Sequence, residues 1–300
     1  MRILILGATG MLGNAMLRVF SAAPQQHEIF ATLRGSNLRV CPTGAVSVLA
    51  DINMDNQDSL VRAFAEARPD AVINCIGLVK QLSEANNPLY AVPINTLLPH
   101  RLAALCAAVG ARFIHISTDC VFSGTKGNYL ESDFPDAYDL YGRSKLLGEV
   151  DYAHAVTLRT SIIGHETSGN RSLVDWFLSQ NAPVRGFTRA IFSGLPTVEL
   201  ARVIRDVVLP RPELRGLYHV AAEPIDKYRL LKMIAEVYGK EIELLRDSEF
   251  VIDRSLNAAR FRTATGYVAP PWSELIAQMH ADFTDSPSRS PFNSECSDNV

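Results

Sequence analysis

The sequence predicts a doubly wound α/β fold, a parallel sheet covered by helices on both faces, with a smaller C-terminal portion. Three observations predict it. Short runs rich in Ile, Val and Leu alternate with longer helical stretches through the first half, the pattern of strands buried on both faces. A glycine-rich turn follows the first of these runs directly, where this architecture binds its ligands. After about residue 164 the alternation loosens, so a second kind of structure begins there.

Strands are expected at residues 3–6, 29–33, 46–50, 71–75, 112–117 and 155–160. Between them, residues 11–21, 57–67, 93–109 and 138–150 carry apolar side chains at helical spacing. Residues 1–164 form the doubly wound unit and 165–283 the smaller portion, in which 173–180, 197–208, 227–238 and 273–283 read as helices. The segment TDSPSRSPFNSECSDNV at 284–300 is too polar to bury much surface and is expected to be a loose tail.

A chain of 300 residues can bury a sizeable core without staples. Its net charge of -3, with no Lys/Arg cluster, argues against nucleic acid or an anionic membrane as the main partner. Cys41, Cys75, Cys106, Cys120 and Cys296 are odd in number and widely spaced, with no CxxC pair and no histidine at metal-ligand spacing. No metal is expected, and a reducing compartment is the simplest reading. The apolar start is too short for a signal sequence, and no apolar run approaches the roughly 18 to 20 residues of a membrane span. A cytoplasmic location is expected.

The turn Gly7-Ala8-Thr9-Gly10-Met11-Leu12-Gly13 joins a strand to a helix, the context a dinucleotide-binding loop requires. Gly7 permits the tight turn, Gly10 lets the backbone approach a pyrophosphate, and Gly13 allows close helix–strand packing. The pyrophosphate then meets free N–H groups at a helix N-terminus. Gly7, Thr9, Gly10, Met11, Leu12 and Gly13 are the candidate cofactor residues here. The spacing is GxxGxxG rather than GxGxxG.

An NAD-preferring site places an acid at the end of the second strand, whereas this chain has Arg34 after Thr32 and Leu33. A guanidinium pairs with phosphate oxygens, so a 2′-phosphate and NADP are favoured over NAD. Asp51, with Ile52 beside it, follows the third strand and either accepts from the adenine amino group or caps the next helix.

Tyr141 and Lys145 are four residues apart and share a helix face. A phenol has an ordinary pKa of about 10, and a nearby ammonium would lower it toward the neutral range. Residues 113–117 form an apolar strand that ends in Ser117-Thr118-Asp119, at the sheet's carboxyl edge, so that Thr118 can meet a substrate carbonyl. A turn or helix cap is the plainer role for those three residues.

With these residues in place, the chain resembles an extended short-chain dehydrogenase/reductase of the Rossmann class, in the branch that includes dTDP-4-dehydrorhamnose reductase. The matching segments are GATGMLG at 7–13, STDCVFSG at 117–124, YGRSKLLGE at 141–149, RTSIIG at 159–164, PTVELA at 196–201 and ATGY at 264–267. The resemblance implies that Thr118, Tyr141 and Lys145 are catalytic, and that Asn95 helps hold Lys145 through water. It also implies that Asn74, Cys75, Ile76 and Gly77 line the cofactor ribose, with Ser117 near the cofactor. Arg159, Thr160 and Ser161 would lie beside the nicotinamide, and 216–221 would return a strand to the main sheet. Aromatic residues are usual in this branch where Cys120 and Ile162 stand, so a different keto-sugar is expected, and the small Cys120 leaves space for a larger substituent.

The expected reaction is NADPH-dependent reduction of a nucleotide-linked 4-keto-6-deoxy sugar, in surface polysaccharide or deoxysugar biosynthesis, with Tyr141 as proton donor. The substrate-side residues are Thr118, Asp119, Cys120, Ile162 and Arg262. Arg171, Arg185 and Arg189 are further candidates for the diphosphate, and Phe187 and Phe192 for stacking on the base. Trp176, on an amphipathic helix, reads as core. The partner is a nucleotide-sugar substrate, and a homodimer is the candidate assembly. Two alternatives stand beside this: an epimerase or dehydratase of the same fold, against which Arg34 speaks, and a non-catalytic NADP-binding subunit, against which the intact Thr118, Tyr141 and Lys145 speak.

Overall fold

A computed structural model describes residues 1–22, 27–35, 46–80, 83–167 and 169–285. Six strands alternate with helices in the first half: β1 (Arg2–Leu6), β2 (Glu28–Thr32), β3 (Val46–Leu49), β4 (Ala71–Asn74), β5 (Arg112–Thr118) and β6 (Ala155–Thr160). The second half adds β7 (Ile162–Ile163), β8 (Val184–Phe192), β9 (Leu195–Pro196), β10 (Gly216–His219), β11 (Ile225–Asp226) and β12 (Leu244–Asp253). The helices of the first half are α1 (Met11–Ser21), α2 (Gln57–Ala67), α3 (Pro88–Ala91), α4 (Leu98–Val109) and α5 (Leu140–Leu147). Those of the second are α6 (Leu173–Ser179), α7 (Thr197–Arg202), α8 (Lys227–Tyr238), α9 (Ala259–Thr265) and α10 (Trp272–Thr284).

The main sheet has seven strands in the order β10-β6-β5-β4-β1-β2-β3, and every pairing in it is parallel. It is the Rossmann-like sheet that the alternation predicts. Chain order reverses between β1 and β4, so the turns after these two strands flank one crevice, the switch point where such sheets take ligands. Side-chain alternation along β1 sends Ile3 and Ile5 to one face, with α1 and α7, and Leu4 and Leu6 to the other, with α2 and α4. The strand Gly216–His219 pairs with β6 and extends the sheet from the second half of the chain. A separate three-stranded sheet, β11-β8-β12, and a two-stranded one, β7-β9, lie in that half as well.

Local chemistry moves several boundaries. The helix expected at 93–109 begins at Pro88, because Asn87 caps it and proline suits a first turn. A π-helical segment, Val92–Leu97, absorbs Pro93 and joins α3 to α4. The result is a helical run of 22 residues, Pro88–Val109, with an 18-residue window of mean hydropathy 1.3, long and apolar enough to cross a membrane by length and composition. No such run was expected from the sequence. In the fold, Leu98, Leu102, Ala103 and Cys106 of this helix pack onto Val72 and Phe113 of the sheet. The helix expected at 138–150 shortens at both ends, since Asp139 caps it and Gly148 follows it. Cys41, Cys296 and the expected tail from residue 286 onward lie outside the described residues.

Gly13 shows how tightly α1 is drawn onto β1. A Cβ built there would lie 2.1 Å from the Gly7 carbonyl oxygen and 2.9 Å from Ala8 Cα, both backbone atoms. Gly13→Ala should therefore destabilise the fold by about 1–3 kcal/mol, the range for forced overpacking. A denaturant or thermal unfolding curve that coincides with the parent's would contradict this packing.

Candidate active site

Gly7 has φ of 80°, a left-handed conformation that glycine adopts freely, and its oxygen accepts from Gly10 N at 3.0 Å. Gly10 then occupies the N-cap of α1 without a side-chain cap, which leaves the first N–H groups of the helix open. A Cβ on Gly10 would meet only the Gly7 oxygen, at 3.4 Å, so its outer side is clear. The turn therefore fits a pyrophosphate, with Thr9 and Gly10 exposed, Met11 half-buried and Leu12 in the core below.

The turn after β4 lies against this loop. Ile76 Cγ1 is 2.8 Å from where a Gly7 Cβ would stand, and Asn74 Oδ1 accepts from Ile76 N at 3.1 Å. Cys75 N donates to Leu6 O at 3.1 Å, and burial pushes the Cys75 thiol up to about 12. Gly77 is exposed, and a Cβ on it would lie 3.5 Å from Asn95 Oδ1 and 3.7 Å from Lys145 Nζ. One continuous rim thus runs from the glycine loop through residues 74–77 to Lys145.

Arg34 is exposed at the carboxyl end of β2, and Asp51 is exposed at the end of β3 beside it. Ile52, fully buried, donates its N–H to Leu33 O at 2.8 Å and ties the two ends together. The cap of α2 belongs to Asn56, whose side chain accepts from Asp58 N and Ser59 N. Asp51 is thus not a helix cap.

Tyr141 and Lys145 stand on α5, and close packing fixes where α5 lies. A Cβ on Gly142 would be 2.3 Å from Cys120 O, and one on Gly148 would be 1.9 Å from Asn95 O. The Asp139 side chain caps the helix through Gly142 N at 2.7 Å and pairs with Lys80 Nζ at 2.7 Å. Ser144 is bound by Asn95 Nδ2 at 3.1 Å, while Asn95 Oδ1 accepts from Leu78 N at 2.9 Å. Asn95 therefore acts on Lys145 by fixing its helix neighbour and the turn opposite.

Lys145 is 5% exposed and donates from Nζ to Ile116 O at 2.8 Å. Burial lowers it to about 8, with Glu149 acting against the shift. His115, fully buried nearby, is held well below its ordinary range by burial and by Lys145, so it is neutral. The Tyr141 phenol stands beside Thr118. Burial, then Cys120, Asp119 and Asp139, pushes it above its ordinary pKa. This departs from the lowering expected of Lys145, whose ammonium is turned to a backbone carbonyl.

Thr118 Oγ1 donates to Asp119 Oδ1 at 3.2 Å and accepts from Cys120 N at 3.1 Å. The turn role and the site role thus fall on one residue. Two cations that the sequence reading passed over reach this point from the second half. Arg254 donates from Nε to Phe122 O at 2.7 Å, and its Nη1 lies 3.9 Å from Cys120 Sγ. Lys227, at the start of α8, is lowered by burial and raised by Asp119. Burial raises the Asp119 carboxyl, with Arg254 opposing. The Arg254 guanidinium thus stands beside the small Cys120. No motif marks Arg254 or Lys227, because each reaches the site from an element distant in sequence.

Other expected residues are placed differently. Ser117 Oγ donates to Glu149 Oε1 at 2.6 Å, so its hydroxyl is committed to the opposite face from Thr118. Arg159 is 3% exposed and bidentate on Glu149 at 2.7 and 2.6 Å, with its guanidinium 5.2 Å from the Phe122 ring. It is a buried ion held in place by Glu149. Thr160 is the strand partner of Thr118, and Ile162 is half-buried in β7 beside Leu195. Arg262 is exposed on α9, which packs on the edge strand β10; Arg254 is the arginine brought to Cys120. Trp176 is 39% exposed and Phe177 fully buried, so the core position on α6 belongs to the phenylalanine. Phe192 is core against Trp272, while Phe187 packs on Phe250. Arg171, Arg185 and Arg189 are all exposed.

Comparison with known proteins places this geometry in a family. Methionine adenosyltransferase 2 subunit beta from Bos taurus is 28% identical over 266 residues, 82% of this chain and 74% of that protein. A probable low-salt glycan biosynthesis reductase, Agl14, from Haloferax volcanii is 29% identical over 308 residues, 94% of this chain and 98% of that one. The crystal structure of a hypothetical dTDP-4-dehydrorhamnose reductase from Sulfolobus tokodaii superposes with a TM-score of 0.73 at 26% identity, covering 91% of this chain and 98% of that one. The dTDP-4-dehydrorhamnose reductase of Bacillus anthracis, solved in complex with NADP, shares the fold with a TM-score of 0.75 at 21% identity, covering 94% and 99%. The family model described as the RmlD substrate binding domain matches residues 1–284, and the chain belongs to that family.

Proposed function

We propose that this protein reduces the ketone of a nucleotide-linked 4-keto-6-deoxy sugar with NADPH. The observation that carries the reading is the convergence of Thr118, Tyr141 and Lys145 beside the rim of Gly7, Gly10 and Gly77. A binding module has no use for a half-buried phenol and a buried ammonium at the end of its dinucleotide groove. The relation to reductases of sugar nucleotides and glycans supports the same reading.

The dinucleotide fits the open N-terminus of α1, with Arg34 for a 2′-phosphate, Asp51 for the adenine, and Gly77 and Lys145 for the nicotinamide ribose. When bound, it supplies the hydride. Thr118 orients the substrate carbonyl, and Tyr141 gives its proton to the oxygen as negative charge develops there. A phenol whose pKa is raised by burial stays protonated through the neutral range, which suits a proton donor in reduction. Lys145, held on Ile116 O, is placed to hold the ribose beside Gly77. Arg254 and Lys227 bring positive charge toward the sugar side, where a nucleotide diphosphate is to be held.

A second reading is that of a non-catalytic NADP-binding subunit, and the likeness to methionine adenosyltransferase 2 subunit beta favours it. It differs in outcome: tight NADPH binding without oxidation by any nucleotide keto-sugar.

Two expectations follow from the reductase reading. Tyr141→Phe lowers kcat for NADPH oxidation with the best keto-sugar by about 10²- to 10⁴-fold while the NADPH dissociation constant stays put; unchanged turnover would remove Tyr141 from the chemistry. Lys145 is charged below about 8 and loses its proton above it. Activity should therefore be full below that pH and fall above it, and Lys145→Arg should move the falling limb upward. A kcat/KM profile without a limb near that pH in the parent would contradict this role.

A further inference from the structure

Outside the candidate active site, buried Asp175 and half-buried His165 and Tyr238 form a second polar group. His165 Nδ1 lies 2.5 Å from Asp175 Oδ1, its Nε2 lies 2.8 Å from the Tyr238 hydroxyl, and its ring stacks on Phe283 at 3.8 Å. Asp175 Oδ2 also accepts from Glu166 N at 2.6 Å and from Ser172 Oγ at 3.1 Å. These contacts tie α6, α8 and α10 to the turn that carries His165, Glu166 and Thr167. From that turn Thr167 Oγ1 donates to Thr9 O at 2.9 Å, inside the glycine loop. The same end of α10 reaches α1 again, since Asp282 pairs with Arg18 at 2.5 Å.

A loop with Gly7, Gly10 and Gly13 is costly to order, because glycine loses more backbone freedom than any other residue. A hydrogen bond to the Thr9 carbonyl restricts it before a ligand arrives, and preorganisation of this kind raises affinity without touching the ligand. We propose that the Asp175–His165–Tyr238 group positions Thr167 to hold the glycine loop in its pyrophosphate-binding shape, which makes His165 and Thr167 positioning residues for the dinucleotide. This rests on the cofactor reading above.

The test is equilibrium titration of the full chain with NADPH, comparing the parent with Thr167→Val, Thr167→Ser, His165→Phe and the Thr167→Val/His165→Phe double variant. Loss of one hydrogen bond should weaken NADPH by about 2- to 10-fold in Thr167→Val. Thr167→Ser should restore parental affinity. The double variant should bind no worse than the weaker single one, since both changes break one connection. In turnover assays the loss should fall on KM for NADPH and not on kcat. The thermal midpoint of Thr167→Val should match the parent's, which separates positioning from loss of fold. Parental affinity in Thr167→Val, or additive losses in the double variant, would overturn the proposal while leaving the cofactor reading intact. A parent that binds no NADPH would overturn both.

Discussion

The site depends on how closely α5 lies between the turn after β5 and the π-helical segment at Asn95. Gly142 on the Cys120 carbonyl and Gly148 on the Asn95 carbonyl leave no room for even a methyl group. That contact lets the Lys145 side chain pass under the helix to Ile116 O and places Tyr141 over Thr118. The electrostatics follow from the same burial. An ammonium drawn out of water loses part of its hold on its proton, and a phenol drawn out of water tightens its own. Glu149 partly offsets the first effect and is itself held by Ser117 and Arg159. A half-buried acid fixed by Ser117 and Arg159 thus offsets part of the burial cost of the Lys145 ammonium.

The second half of the chain contributes charge rather than motif. Arg254, past the end of β12, and Lys227, at the start of α8, converge on Asp119 and Cys120. Where the branch it resembles usually has an aromatic residue, this chain has Cys120 with the Arg254 guanidinium beside it. Its preferred substrate should therefore be set as much by charge as by stacking.

The doubly wound sheet was legible because its strands are buried on both faces and read as unbroken Ile/Val/Leu runs; residues 155–160 match the strand at both ends. The glycine loop was legible because each glycine answers a backbone constraint that no other residue meets. What escaped were contacts between distant elements. The commitment of Arg159 to Glu149 depends on how β6 and α5 face one another, which no local pattern encodes. The exposure of Trp176 beside buried Phe177 turns on a single helical step in a seven-residue helix. Membrane-spanning length at residues 88–109 was hidden by Pro93, which marks a break in sequence yet is absorbed by a π turn.

In the proposed reduction, hydride passes from the dinucleotide to a sugar carbonyl carbon while this chain supplies the proton. The most direct measurement is product NMR after incubation with NADPH deuterated at C4 of the nicotinamide and a nucleotide-linked 4-keto-6-deoxy sugar. Deuterium on the new carbinol carbon, one for each NADPH consumed, is the predicted result. A sugar product formed without deuterium and without net NADPH consumption would contradict it.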